Sequence, residues 1–586
     1  MSGLCREVIT LQLGHYSNFV GTHWWNLQEA SLCYDSDGSP GELQSDVMFR
    51  EGVTLGGQVT YTPRLIAMDV KGSLQTLREE GILYEAENNA SPQSWKGQVV
   101  THKHTRSTKN SFLQDLDKLD DGEILSDDDL HSSQQAQHSG AVAKETVNSS
   151  LEHSKKTYSL EGSVRVWSDF LRLHLHPRTI SVIHEYNHDG ESGRLEAFGQ
   201  GEALCKGPVL EELEDKLHFF TEECDYLQGF QVLCDLSDGF SGLGSKVTEL
   251  LQDSYGGRGI LTWGLSPVSH PNMTPVKEHC HLLNVALGMV HMANHSSFFC
   301  PLTLKGGLGP RPNATPVFPH LTYDPSIWYH SSSLLALALD TMTVPYRLRQ
   351  HSTPMWQMAD ALAVSGRKVV SAYGAIPFPV DHGTYLSDAL DAFTDGLPWK
   401  PLSACPEQGN GGCYGQSVAL RGLEKQSLVR PRVPGRQPPS ALDYFCNGEE
   451  ILASYIQSHY PASPMAVQTV SSASKLTPPF PQIFSKSMGP QGLLHQQVRT
   501  KAVVPPVVGV PVLTSLQSSP ALGPWLSELH IAASRLDPRR IAPSFLTHDL
   551  EHSDLQEALE QLRVLAHCYR NDNSGMRNSS SDDDDI

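Results

Sequence analysis

At 586 residues the chain exceeds one hydrophobic core, so roughly two or three domains with connecting segments are expected. A formal net charge of -21 excludes broad binding to nucleic acid or to an anionic membrane surface, because both need basic patches. Eleven cysteines without a C-x-x-C pair read as reduced thiols, neither a disulfide framework nor a zinc site.

The first strand is predicted over Glu7–Leu13, followed by the turn Gly14-His15-Tyr16-Ser17-Asn18 and by Phe19, Val20, Trp24 and Trp25 at helical spacing. Glu7 within this apolar alternation resembles neither a secretory signal nor an Arg-rich presequence. A second strand is expected at Leu65–Val70, with Asp69 near its end. Strand, helix, strand points to a parallel α/β sheet. Residues 85–157 are rich in Ser, Gln, His and Lys and include the acidic run Asp115–Asp129, so they are expected to be a largely disordered, solvated insertion.

Order is expected to return with a strand or helix edge at Ile180–His184, a glycine-rich loop over Tyr186–Gly201 and an amphipathic helix over Glu211–Glu223. The apolar run Phe230–Leu233 predicts a strand, after which Gly239, Gly242 and Gly244 crowd a turn ahead of a helix at Lys246–Gln252. Another strand is predicted at Gly259–Leu265, helices at Leu282–Met292, Ser332–Thr343 and Thr353–Ala363, and a strand at Val369–Ile376. Pro-rich linkers are read at Arg430–Ser440 and Leu476–Pro481, a last helix at Asp554–Tyr569, and a disordered acidic tail at 571–586. The predicted division is therefore 1–84 and 158–345 for one domain, 85–157 for its insertion, 346–570 for a second domain, then the tail. No apolar run reaches the length of about 18–20 residues that a bilayer span needs, so membrane attachment is expected to be peripheral.

Strand, glycine-rich turn and helix start is the arrangement that cradles a phosphate on backbone N–H groups. In a parallel sheet the Gly14 turn, Asp69 and the Gly239 turn would meet at the carboxyl ends of the strands, where ligands gather. The bland readings stand beside this. Asp69 could equally cap a helix, Trp24 and Trp25 read as a core face, and His188 and Asp189 lack an accompanying nucleophile or metal constellation.

Several stretches carry a resemblance. Arg6–Gln28 looks like the opening strand, loop and helix of tubulins. Tyr61-Thr62-Pro63-Arg64 with Ala67-Met68-Asp69, and Cys224–Gln231 (C-D-Y-L-Q-G-F-Q), resemble tubulin segments in the same order, as do Thr353–Val370 and Pro377-Phe378-Pro379. Together these blocks span about two-thirds of the chain. Trp24-Trp25-Asn26, Val166–Phe170, Tyr186–Gly190 and Asp235–Gly242 are similar to the Misato family, tubulin-related proteins with a large insertion and an altered nucleotide region. The resemblance implies a tubulin/FtsZ-like parallel-sheet domain followed by a second α+β domain. It also implies a role in mitochondrial distribution, morphology and fusion or network formation, exercised in the cytoplasm and peripherally at the mitochondrial outer membrane. The implied partners are proteins of that membrane, with tubulin and the cytosolic chaperonin as further candidates.

Against the tubulin pattern, the remnants of a nucleotide site would be Gly14, His15, Tyr16, Asp69, Gly239, Ser241, Gly242 and Gly244. His15 and Tyr16 stand where tubulins use Gln and Cys, while Asp238, Phe240 and Leu243 replace small residues. A carboxylate about 4 Å from a phosphate is repelled by roughly 1 kcal/mol per unit charge in water and about 4 at an effective dielectric of 20. Asp69 could face a magnesium ion. Tubulins position the hydrolytic water with an acidic loop residue, but Ser365–Val370 runs into Ala375-Ile376-Pro377 with no carboxylate between. The expectation is a non-catalytic protein with no resident cofactor or metal. The alternatives are a switch that holds GTP or GDP without turnover, and a cofactor of tubulin folding and spindle assembly.

Overall fold

The computed structural model describes residues 6–32, 41–53, 57, 59–77, 79, 108–120, 156–189, 192–269, 273–307, 314–393, 396–406, 412–432, 434–435, 437–495, 506–541, 543–546 and 550–570. Strand β1 (Glu7–Leu13) is buried along its length and leads through Gly14 into helix α1 (His15–Ala30). The antiparallel hairpin β2 (Phe49–Val53) and β3 (Val59–Pro63) precedes β4 (Leu65–Lys71), which lies parallel to β1 with Leu11 opposite Ile66. Helix α2 (Ser111–Asp120), β5 (Ile180–Asn187), α3 (Phe198–Leu204), α4 (Pro208–Glu222), β6 (Leu227–Asp235) and α5 (Phe240–Ser254) follow. Then come β7 (Gly259–Leu265), α6 (Pro275–His295) and β8 (Phe298–Leu302).

The six long strands form one parallel sheet in the order β5-β4-β1-β6-β7-β8. Helices cover both faces, which is why β1, β6 and β7 are buried at every position. Ile9, Leu11 and Leu13 enter the core shared with α3–α6, whereas Val8 enters the opposite core beside α1.

The second part begins with α7 (Trp328–Met342) and α8 (Met355–Leu362), followed by β9 (Ser371–Ala375), α9 (Leu386–Asp391), β10 (Lys400–Pro401) and β11 (Gly415–Arg421). Helices α10 (Lys425–Leu428) and α11 (Gly448–His459) lead to β12 (Met465–Val470), β13 (Ser474–Lys475), β14 (Gly509–Val510) and β15 (Val512–Ser518). Helices α12 (Leu522–Ser534), α13 (Pro538–Ile541) and α14 (His552–Cys568) end the described chain. A mixed sheet runs β10-β9-β15-β11-β12, with only β11 and β12 parallel within it. Helix α7 is buried nearly throughout because it lies between α1 on one side and β11 and β15 on the other. The fold is thus a tubulin-like parallel α/β layer joined to a mixed α+β layer, and α12 and α14 pack on each other and back onto α6.

The segment expected to be without order needs a correction. Within 85–157, residues 111–120 form helix α2, whose Phe112 and Leu119 are buried. Asp115, from the acidic run taken as solvated, is buried and accepts from Lys156 Nζ at 2.6 Å and Tyr158 Oη at 2.8 Å. The apolar period of Phe112, Leu116 and Leu119 is what the carboxylates masked. Residues 121–155, with Asp127–Asp129, lie outside the described residues, as does the tail 571–586. Two further boundaries move. The loop Tyr186–Gly201 gives its first residues to β5 and its last to α3, and α5 begins at Phe240, six residues ahead of Lys246.

Candidate functional site: an acid-filled cleft at the strand ends

A cleft of about 610 Å³ opens at the carboxyl ends of the parallel strands, lined among others by His15, Asp69, His188, Asp238, Lys277 and Trp328. Its floor is built by two helix starts, which in this topology offer free N–H groups to an anion. Here both starts are occupied by the chain itself.

At α1, Tyr16 N and Ser17 N donate to the two oxygens of Asp235 at 2.9 and 2.7 Å, and Ser17 Oγ donates to the same carboxylate at 2.6 Å. Asp235 ends β6 and holds the place an anion would take at that dipole. Gly14 is required there. Its φ of +113° is a left-handed value, and a Cβ would come within 2.5 Å of Asp235 Oδ2. At α5, Phe240 N donates to Asp238 Oδ1 at 3.0 Å, Ser241 N to Asp238 O at 3.1 Å and Gly239 N to Leu195 O at 3.2 Å. Gly242 N and Leu243 N both turn back to Gly239 O. The N–H groups from Gly239 to Leu243 are thus all engaged within the chain.

The glycines serve helix packing. A Cβ on Gly242 would lie 1.9 Å from Phe198 O, and one on Gly201 would lie 1.8 Å from Gly239 O, so α3 rests directly on the backbone of α5. Gly244 faces β6, where a Cβ would meet Cys234 Sγ at 2.3 Å. Gly239 is closed off by Leu195, and Ser241 Oγ donates to Asp238 O at 2.8 Å. Tyr16 turns away from the cleft lining to bond Ser331 Oγ at 3.1 Å, with its ring 5.3 Å from that of Trp328. Of the eight residues singled out from the sequence, His15 and Asp69 line the cleft. The other six build the shell beneath it.

Asp69 is saturated. Its Oδ2 accepts from His15 Nδ1 at 2.8 Å, Trp167 Nε1 at 2.9 Å and Asn18 Nδ2 at 3.3 Å, and its Oδ1 from Val70 N at 2.8 Å. Burial alone would raise this carboxyl, but the His15 charge and the bonds from His15 and Val70 outweigh it and hold it below its ordinary value. Asp235 goes the other way. Burial outweighs its three bonds and lifts it to about 7. Burial, with Asp235 close by, pushes Asp238 well above the carboxylate range. His188, its ring 4.0 Å from that of His15, is held near 4 by burial and by His15, so it is neutral at physiological pH.

The stretch read as lacking a hydrolytic carboxylate is covered by the end of α14 and the residue after it. Arg367 Nε donates to Cys568 O at 2.7 Å, with its guanidinium 4.0 Å from the Tyr414 ring, and Tyr569 Oη both accepts from Val369 N and donates to Val369 O. Asp235, Leu195, Trp167 and Trp328 were not legible as site residues. Asp235 carried one visible signal, a carboxylate at the end of an apolar run just ahead of a glycine turn.

Residues 6–118 match the family described as Misato Segment II tubulin-like domain, and residues 157–348 match the family described as Tubulin domain. Among curated relatives, the zebrafish (Danio rerio) protein misato homolog 1 is 64% identical, covering 100% of both chains. The human (Homo sapiens) protein misato homolog 1 is 47% identical over 98% of this chain and 100% of its own. The chain belongs to the Misato family. Drosophila melanogaster protein misato, at 28% identity over 96% of this chain and 98% of its own, extends the likeness over nearly the same length. For a Misato-family chain, then, the tubulin-like domain spans a sheet whose anion positions are taken by Asp235 and Asp238. Among the described residues no helix is long and apolar enough to cross a membrane, and no group of three or more His, Cys, Asp or Glu is placed to hold a metal ion.

Proposed function

We propose that this Misato-family protein is a tubulin-like scaffold that does not turn over GTP and acts through protein contacts in mitochondrial distribution, morphology and network formation. The observation that carries the non-catalytic part is the pair of carboxylates seated on the two helix starts of the floor. Phosphoryl transfer depends on positioning the phosphates and neutralising their charge, and this floor does neither. A triphosphate would have to displace Asp235 from three hydrogen bonds and Asp238 from a fourth.

The mitochondrial part rests on family membership. The protein would work in the cytoplasm and peripherally at the mitochondrial outer membrane, in contact with proteins of that surface, with tubulin and the cytosolic chaperonin as further partners. The purified chain should release no guanine nucleotide on denaturation and should hydrolyse no GTP above a heat-killed control. Turnover at a tubulin-like rate would sink the first part. A normal mitochondrial network in cells depleted of the protein would sink the second, and an empty pull-down from cytosol would remove tubulin and chaperonin as partners.

A further inference from the structure

Beside the cleft, at the carboxyl ends of β7 and β8, lies a second, smaller cavity of about 70 Å³. Ser266 follows β7, Lys305 stands three residues past β8, and Glu278, His279 and His281 come from the first turns of α6; all of them line it. Ser266 is 8% exposed and its Oγ has no hydrogen-bond partner, and neither has Nδ1 of His279. Orphaned buried polar atoms are rare and point to something that completes them. Lys305 is half-buried and makes no ion pair among the described residues. Burial lowers its ammonium from the ordinary 10.5, opposed only by Glu278, so the fold gives this cation little counter-charge. His281 senses the same field. Burial, Lys305 and Lys277 hold it near 4 although Glu196 acts the other way, so it is neutral at physiological pH. Neither nearby carboxylate settles the imbalance, since Glu278 is exposed and Glu196 is paired with Lys277 at 3.2 Å. An ammonium, a free hydroxyl and a neutral imidazole N–H are all donors, and together they favour an oxyanion.

We propose that this cavity binds a phosphate group, which accepts from Lys305 Nζ, Ser266 Oγ and the His281 ring. At about 70 Å³ it is several times the space of about 10–15 Å³ that one water needs, and far too small for a nucleotide. Ser237, Pro267, Ser269 and His281 also line the cleft of about 610 Å³, so the remainder of a phosphorylated small molecule has room there. The site is separate from the floor, where Asp235 and Asp238 take the helix starts, and it does not depend on the reading that GTP is left unhydrolysed.

The test is calorimetric titration of the full-length protein, in a chloride buffer, with inorganic phosphate and with glycerol 3-phosphate. At least one of them should bind saturably, with a dissociation constant below about 1 mM. Tighter binding of glycerol 3-phosphate assigns the group to a phosphorylated small molecule, and tighter binding of phosphate assigns it to the free ion. Lys305→Met keeps the apolar stem but loses the charge, and should weaken binding at least about tenfold, the loss of one charge-assisted hydrogen bond. Because that charge has no ion-pair partner, the variant should melt no lower than the parent, which separates lost binding from lost fold. Ser266→Ala removes one hydroxyl and should weaken binding severalfold; it decides the question if Lys305→Met does not fold. Binding indifferent to Lys305→Met is that of an adventitious ion only and overturns the proposal. So does the absence of saturation with either anion up to about 10 mM.

Discussion

Removing the carboxylate of Asp340 should be among the most damaging single changes in this chain. Asp340 lies on α7, 1% exposed, between the two layers. Arg347 Nη2 reaches its Oδ1 at 2.9 Å, Arg421 Nη1 pairs with its Oδ2, Gln28 Nε2 donates at 2.7 Å and Ser474 Oγ at 2.5 Å. These partners come from α1, the turn after α7, β11 and β13, so one carboxylate ties four parts of the fold together. At 2.9 Å and an effective dielectric of 20, a single pair attracts by about 6 kcal/mol, most of it offset by desolvation. Taking away the shared partner leaves two buried guanidiniums facing each other without a counter-charge. That situation typically costs about 3–5 kcal/mol. Asp340→Ala should lower the urea midpoint accordingly, read by tryptophan fluorescence, whereas the exposed pair Glu560–Arg563 should tolerate Glu560→Ala without measurable change. The pH dependence has a defined sign. Burial raises the Asp340 carboxyl, but Arg421 and Arg347 outweigh it and hold it at about 2 against an ordinary 3.8. Its stabilisation is therefore complete above about pH 4 and is lost as pH falls toward 2. Asp340→Asn should lack that part of the slope. An Asp340→Ala protein within about 1 kcal/mol of the parent would refute the argument that this buried cluster joins the layers.

Gly242→Ala and Gly201→Ala should each destabilise by about 2 kcal/mol or more, since the added methyl meets backbone carbonyls, while Gly162→Ala, which opens on empty space, should be neutral in thermal melting. Tyr569→Phe removes two buried hydrogen bonds to Val369 and should cost about 1–3 kcal/mol, with faster amide exchange at Val369 as its local sign. Thiol labelling of the native protein should be fast at Cys446 and Cys568, which are exposed, and slow at Cys234, Cys300 and Cys405 until the chain unfolds. Equal rates at all five would contradict the packing of β6 and β8.

Much of the fold was legible because it rests on local patterns. The strands at Glu7–Leu13 and Gly259–Leu265 have the bounds their apolar runs indicated, and the helices at Glu211–Glu223 and Asp554–Tyr569 follow their apolar period to within a few residues. Helix α5 was misjudged at its start because three glycines in six residues argue against a helix by propensity. Tertiary packing reversed that preference, since only a backbone without side chains admits α3 at that distance. Helix α2 was hidden for a different reason. Its apolar face is short and its carboxylates are many, and only Lys156 and Tyr158, about forty residues on, make Asp115 a buried group.

By itself, the order of apolar runs and glycine turns determined a parallel sheet with its ligand end at Gly14, Asp69 and Gly239, because strand period and turn chemistry act over a few neighbouring residues. Whether that end stays open to an anion was decided elsewhere. Asp235 reaches Tyr16 and Ser17 across more than two hundred residues of chain, and Leu195 closes the turn from another loop. Hydrogen bonds of that kind depend on where strands come to lie beside one another, so only the folded chain could show that the floor was already filled.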